Sequence, residues 1–258
     1  AHVEGGIAML AALVLMLCEG DNFSEQSAAS IDKAMGGALT DLLKSKEFEG
    51  KPGEVVLLHT QKAIPAKRVL LVGMGKKASA GLDTIRQAMG YAAKRVRQAK
   101  ATSFTVSVPA FVPRDSSVIE VAQAMAEGAI LGSYQFNLYR SDLAPGKDVA
   151  QMTLLAPEKS SLRDLSEGIR RGTASAEAAV FVRDLCNHPS NVMTPTKIAQ
   201  EAKAIAKETG VTLKILEQKD MEKLGMGALL GVARGSHEPP KFIILEYRGA
   251  RKKEDRPV

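Results

Sequence analysis

The chain has 258 residues, 45% of them hydrophobic and 25% charged, with a formal net charge of +6. This is ordinary globular composition with room for one large domain or two small ones, and the surplus charge speaks to nonspecific attraction rather than to a task. Its two cysteines, Cys18 and Cys186, lie far apart in sequence, which excludes a disulfide framework and fits a reducing compartment, by default the cytoplasm.

The run from Ile7 to Leu17 is apolar enough for a signal segment, but His2 and Glu4 precede it where basic residues are expected, and it is too short to span a bilayer. Its second half, Ala12 to Cys18, reads as a buried first strand. Ser27 to Lys44 places Ile31, Met35, Leu39 and Leu42 on one helical face, although Gly36-Gly37 costs a helix about 1 kcal/mol per glycine. Glu54 to Thr60 and Lys67 to Val72 are short apolar runs bounded by Pro52-Gly53, Pro65 and Gly73, the pattern of strands covered on both faces. Asp83 to Lys100 turns Ile85, Met89, Ala92 and Val96 inward as a helix, and Phe104 to Val108 follows as a strand. Ser116 or Ser117 caps a helix reaching about Gln135, and Val149 to Leu155 is a strand. The alternation predicts an α/β sandwich on a largely parallel or mixed sheet.

A long helix is predicted from Leu162 to Asn187, with Leu162, Leu165, Ile169, Ala176 and Val180 on one face. At 1.5 Å per residue it is roughly 38 Å long, enough to bridge two domains. Pro189 stops it, and Thr194-Pro195 supplies an N-cap and an N1 proline for the next helix, Pro195 to Lys207, which Gly210 ends. Val211 to Leu216 and Phe242 to Tyr247 read as strands and Asp220 to Leu224 as a short helix. Two strands and about two helices are too few to cover both faces of a parallel sheet. The second domain therefore reads as unfinished, with Arg256-Pro257-Val258 as the lead-in to a further strand.

Three segments in order carry a resemblance. Asn187-His188-Pro189-Ser190-Asn191 with Thr194-Pro195, then Gly225 to Ser236, then Pro240 to Gly249 resemble the leucyl aminopeptidase family of two-metal exopeptidases. Upstream, Val69 to Gly75 and the order of elements are similar as well. The resemblance implies an amino-terminal three-layer α/β, macro-like domain with a mixed sheet over residues 1–160 and a linking helix over 161–188. The start of an α/β aminopeptidase catalytic domain, incomplete, then occupies 189–258. In that family a lysine, several aspartates and a glutamate hold two divalent ions such as manganese or zinc. The ions activate a water that attacks the first peptide bond of a substrate with a free amino terminus, preferring leucine-like residues. Those ligands belong to motifs beyond Val258. The resemblance thus assigns no catalytic, cofactor-binding or metal residue to this chain, which on its own is expected to scaffold and not to catalyse. It further implies a cytoplasmic homohexamer with no membrane association.

The residues themselves offer weaker candidates. Gly73-Met74-Gly75-Lys76-Lys77-Ala78 formally fits a dinucleotide fingerprint, but the strand Phe104 to Val108 ends without an acid for a ribose hydroxyl. His188, and His237 beside Glu238, read as loop or capping residues because no second ligand is in view. Gly225, Gly227, Gly231 and Gly235 read as packing and turn positions, since no lysine and serine or threonine complete a phosphate loop. No His-Glu-x-x-His or two-cysteine spacing is present. Arg86, Lys94 and Arg97, with Arg95 and Lys100 nearby and Arg251-Lys252-Lys253 further on, form a basic stripe that supports an alternative function, a noncatalytic DNA-binding or regulatory module. With aromatics at 4%, sequence-specific nucleic-acid recognition is not expected.

Overall fold

A computed structural model describes residues 10–23, 26–109, 116–141, 148–156 and 162–249. The proposed strand lead-in at Arg256 to Val258, the cluster at Arg251 to Lys253 and the start of the run at Ile7 lie outside the described residues. The chain divides into two compact units, Ala1–Phe181 and Val182–Val258.

The first unit is built on five strands: β1 (Leu13–Leu17), β2 (Val55–His59), β3 (Arg68–Gly73), β4 (Ser103–Ser107) and β5 (Gln151–Leu155). Their order is β2-β3-β1-β4-β5. β2 runs antiparallel to β3, pairing Leu57 with Leu70, while β1 lies parallel to β3 and β4, and β5 parallel to β4. β1, β2 and β3 are rich in valine and leucine because helices cover both faces there, whereas β5, at the edge, alternates exposed and half-buried residues. Alternate residues of β3 serve opposite sides: Leu70 and Val72 enter the larger core, Val69 and Leu71 the smaller one, and all four are fully buried.

The larger core is closed by α3 (Leu82–Gln98) and α4 (Val118–Ser133). Ile85, Met89, Ala92 and Val96 all point into it, as their spacing requires. α4 starts in a capping box, with the Ser117 hydroxyl accepting from the Glu120 N–H at 3.2 Å and the Glu120 carboxylate accepting from the Ser117 N–H at 2.8 Å. The smaller core is closed by α1 (Gln26–Ala34) and α2 (Ala38–Lys44). The single helix expected across Ser27 to Lys44 is thus two. Gly36 and Gly37 take φ of 69° and 86°, a left-handed turn that only glycine enters cheaply. Asp32 holds the corner, its Oδ1 accepting from the N–H groups of Leu39 at 2.9 Å and Thr40 at 3.1 Å.

α5 (Leu162–Asn187) is the long helix, and the boundary between the units falls within it. Its buried stripe is Leu165, Gly168, Gly172 and Ala176, whereas Leu162, expected inward, is 53% exposed. The reason is close backbone approach. A Cβ on Gly168 would sit 2.3 Å from the carbonyl oxygen of Ile119 on α4, and one on Gly172 would sit 2.5 Å from that of Gln123.

The second unit contains α6 (Pro195–Thr209), β6 (Thr212–Leu216), α7 (Gln218–Lys223), α8 (Gly227–Ala233) and β7 (Phe242–Glu246). Thr194 caps α6 by accepting from the Lys197 N–H at 3.3 Å, and Gly210 ends it at φ 74°. β6 and β7 pair antiparallel, Ile215 opposite Ile243. Gly225, at φ 69°, and Gly235 lie in turns as expected, whereas α8 corrects the reading of Gly227 and Gly231, which lie inside a helix flanked by aliphatic residues.

Candidate functional site

The glycine turn after β3 does not form a phosphate cradle. The Gly75 N–H donates to the Gly50 carbonyl at 2.7 Å, and the Gly75 carbonyl accepts from the Glu19 N–H at 2.9 Å. A Cβ on Gly73 would meet the Lys51 carbonyl oxygen at 2.0 Å, and one on Gly75 would meet the Pro52 ring at 2.8 Å. The loop from Gly50 to Pro52 occupies the space a pyrophosphate would need. A 3-10 turn, Lys77–Ser79, also separates these glycines from the start of α3, so they do not lead directly into a helix N-terminus. The two glycines serve chain packing.

The basic stripe is partly consumed within the fold. The Arg86 guanidinium donates to the buried Glu127 carboxylate on α4 at 2.8 Å from Nε and lies 2.7 Å from it at Nη2, while Nη1 reaches Asp83 at 3.1 Å. Arg97 donates to the Ser133 carbonyl at 2.7 Å. Two of the three cations that defined the stripe thus join α3 to α4, and these contacts compete with phosphate binding.

The cysteines and histidines stay apart. Cys18 is buried, and burial pushes its thiol up, with the Asp21 carboxylate adding to the effect, so it is no ready nucleophile. Cys186 is exposed near the end of α5. His188 follows that helix, its N–H donating to the Asp184 carbonyl at 3.3 Å. His237 and Glu238 border a polar hollow of about 640 Å³ together with Gln218, Glu222 and Arg234. Glu222 is engaged by the Gln218 amide at 2.9 Å. Across α8 lies an apolar cleft of about 660 Å³, lined by Pro195, Leu229, Val232 and Pro240 among others.

A two-metal centre needs several hard or nitrogen donors converging on one point. Among the described residues no three histidine, cysteine, aspartate or glutamate side chains come together in that way. No described helix is long and apolar enough to cross a membrane.

These elements define a two-unit α/β protein whose first unit is a three-layer sandwich on a mixed five-stranded sheet. Residues 14–143 match the cytosol aminopeptidase family's N-terminal domain and residues 180–258 its catalytic domain, in that order. The chain belongs to the cytosol aminopeptidase family. It is 38% identical over 250 residues to a probable cytosol aminopeptidase of Alkaliphilus oremlandii (strain OhILAs), covering 96% of this chain and 50% of the relative. It is 41% identical over 224 residues to one from Geobacter sp. (strain M21), covering 84% and 44%. A mutant of tomato leucine aminopeptidase superposes with a TM-score of 0.78 at 27% identity, over 91% of this chain and 47% of that one. The bottromycin maturation enzyme BotP in complex with Mn superposes at 0.71 and 27%, over 93% and 45%. The chain spans about half the length of the curated relatives it matches.

Proposed function

We propose that this chain supplies the amino-terminal domain, the linking helix and the opening of the catalytic domain of a two-metal leucyl aminopeptidase. The boundaries we assign are 1–160, 161–188 and 189–258. The whole enzyme releases amino-terminal residues, leucine-like ones preferred, from peptides in the cytoplasm. It uses two divalent ions, manganese or zinc, and works as a homohexamer. No residue of this chain is assigned a catalytic, cofactor-binding or metal role, and the chain alone is inactive. The observation that carries the reading is the consecutive match to both domains of one family, over 14–143 and 180–258. A manganese-bound neighbour, BotP, supports the choice of metal. We do not adopt the DNA-binding alternative, because Arg86 and Arg97 are committed to Glu127 and Ser133.

The test joins the chain to the remaining half of the Geobacter relative and follows the trimming of leucine-initiated peptides by mass spectrometry. Stepwise loss of amino-terminal residues, dependent on added manganese or zinc, is expected. A folded fusion that binds metal yet leaves such peptides intact contradicts the proposal.

A further inference from the structure

Among the described residues Glu127 is the one charged residue that is buried. It lies on α4, which packs against both α3 and α5. A buried carboxylate needs partners, and three helices supply them. From α3 the Arg86 Nε donates at 2.8 Å, with Nη2 at 2.7 Å; one turn earlier on α4 the Gln123 amide donates at 2.9 Å; from α5 the Ser175 hydroxyl donates as well. Arg86 is itself steadied by Asp83 at 3.1 Å, whose other oxygen accepts from the Gln87 amide at 2.7 Å. The Arg86 guanidinium thus bonds within α3 and to α4, and its hydrogen bonds do not reach α5.

The close backbone contacts fall on the same residues. A Cβ on Gly128 of α4 would lie 2.1 Å from the Arg86 carbonyl oxygen, and one on Gly172 of α5 would lie 2.5 Å from that of Gln123. The facing helix therefore rests on the backbone of each residue whose nitrogen side chain holds Glu127. A displacement at either seam moves a donor and the carboxylate relative to one another. α5 has little else to hold it. Its buried residues are Leu165, Gly168, Gly172 and Ala176, and Leu165 alone brings a large side chain. A helix with so few buried side chains belongs to the part of a fold that opens locally.

We propose that Glu127 is a relay through which α3 governs the seating of α5: Arg86 fixes the carboxylate in the pose that Ser175 binds, so loosening Arg86 releases a helix that its own bonds do not reach. The coupling runs both ways, since a free energy shared between two contacts is the same from either end. Undocking α5 takes Ser175 from the carboxylate and weakens the hold of α4 on Arg86. The boundary between the two units falls within α5. The relay therefore sets how firmly the chain is held to the sandwich just before it enters the second unit.

The test follows amide hydrogen exchange of the 258-residue chain by mass spectrometry at pH 7. Arg86→Met is expected to speed exchange across Leu165 to Ala176 by about tenfold, the change that one lost charge-assisted hydrogen bond brings. Ser175→Ala is expected to do the same. The double variant is expected to exchange no faster there than the faster single one, because both cut one relay. α1 and α2, on the opposite face of the sheet, are expected to change by less than about twofold. Arg86→Lys keeps the charge, gives the same test where Arg86→Met does not fold, and is expected to produce a smaller rise confined to α5. Exchange in α5 that ignores the Arg86 variants overturns the proposal, as do single effects that multiply in the double variant. A rise that α1 and α2 share in equal measure overturns it in favour of a general loss of stability.

Discussion

Glu127 of α4 accepts two close contacts from the Arg86 guanidinium of α3, at 2.7 and 2.8 Å, and a third from the Gln123 amide at 2.9 Å. Burial alone would raise this carboxyl, but the hydrogen bonds from Gln123 and Arg86, the Arg86 charge and a bond from Ser175 outweigh it and hold the group below the usual carboxylate range. A carboxyl lowered by folding contributes stability above its unfolded value, and that contribution is lost as pH falls through the folded one. Unfolding of the chain is therefore expected to become easier as pH drops below about 4.5. Glu127→Gln is expected to flatten that slope and to cost about 1–3 kcal/mol at pH 7, less than a fully buried broken pair because Arg86 is 34% exposed. Urea titrations at pH 7 and pH 3.5 check both statements.

The same two helices meet through glycine. A Cβ on Gly128 would lie 2.1 Å from the Arg86 carbonyl oxygen, and one on Gly132 would lie 2.5 Å from the Cα of Gly90. Gly128→Ala is expected to destabilise the first unit by about 1–3 kcal/mol despite alanine's better helix propensity. Gly231→Ala, on open α8, is expected to do the opposite by up to about 1 kcal/mol in the isolated chain. Thermal unfolding followed by circular dichroism separates the two signs.

Asp32 is the residue that turns α1 into α2. Removing its carboxylate leaves the Leu39 and Thr40 N–H groups without their side-chain acceptor at a corner where Leu39 is fully buried. Asp32→Ala is expected to cost about 0.5–2 kcal/mol, the range for a lost helix cap, measured as a shift in denaturation midpoint at unchanged m-value.

Because the turn at Gly73 and Gly75 is filled by Gly50 to Pro52, nicotinamide dinucleotides are expected to leave the melting temperature unchanged at millimolar concentration. A rise of several degrees would reopen the fingerprint reading.

Periodicity of large side chains was sufficient for α3, where Ile85, Met89, Ala92 and Val96 are all buried, and cap chemistry marked Ser117, Thr194 and Gly210. It was not sufficient for α5. That helix buries Gly168 and Gly172, and a pattern that counts apolar side chains cannot register an approach made by the backbone. The break at Gly36-Gly37 was visible as a weak point but not as a left-handed corner, because Asp32 acts from seven residues before Leu39. α8 was hidden by its glycines, though Ala228-Leu229-Leu230 with Val232-Ala233 carried the signal of an all-apolar helix. For the candidate site, the Gly73 to Ala78 motif was ambiguous in one dimension; only the fold brings Pro52 against Gly75. The ion pair from Arg86 to Glu127 spans 41 residues of sequence, beyond any local pattern.

The most direct measurement is hydrolysis of leucine p-nitroanilide by the purified 258-residue chain, mass-verified to end at Val258, with and without manganese or zinc. No turnover is expected under any condition, because among the described residues no donors converge on a metal pair. Metal-dependent turnover by this chain alone would contradict it and would return His188, His237 and Glu238 to consideration as ligands.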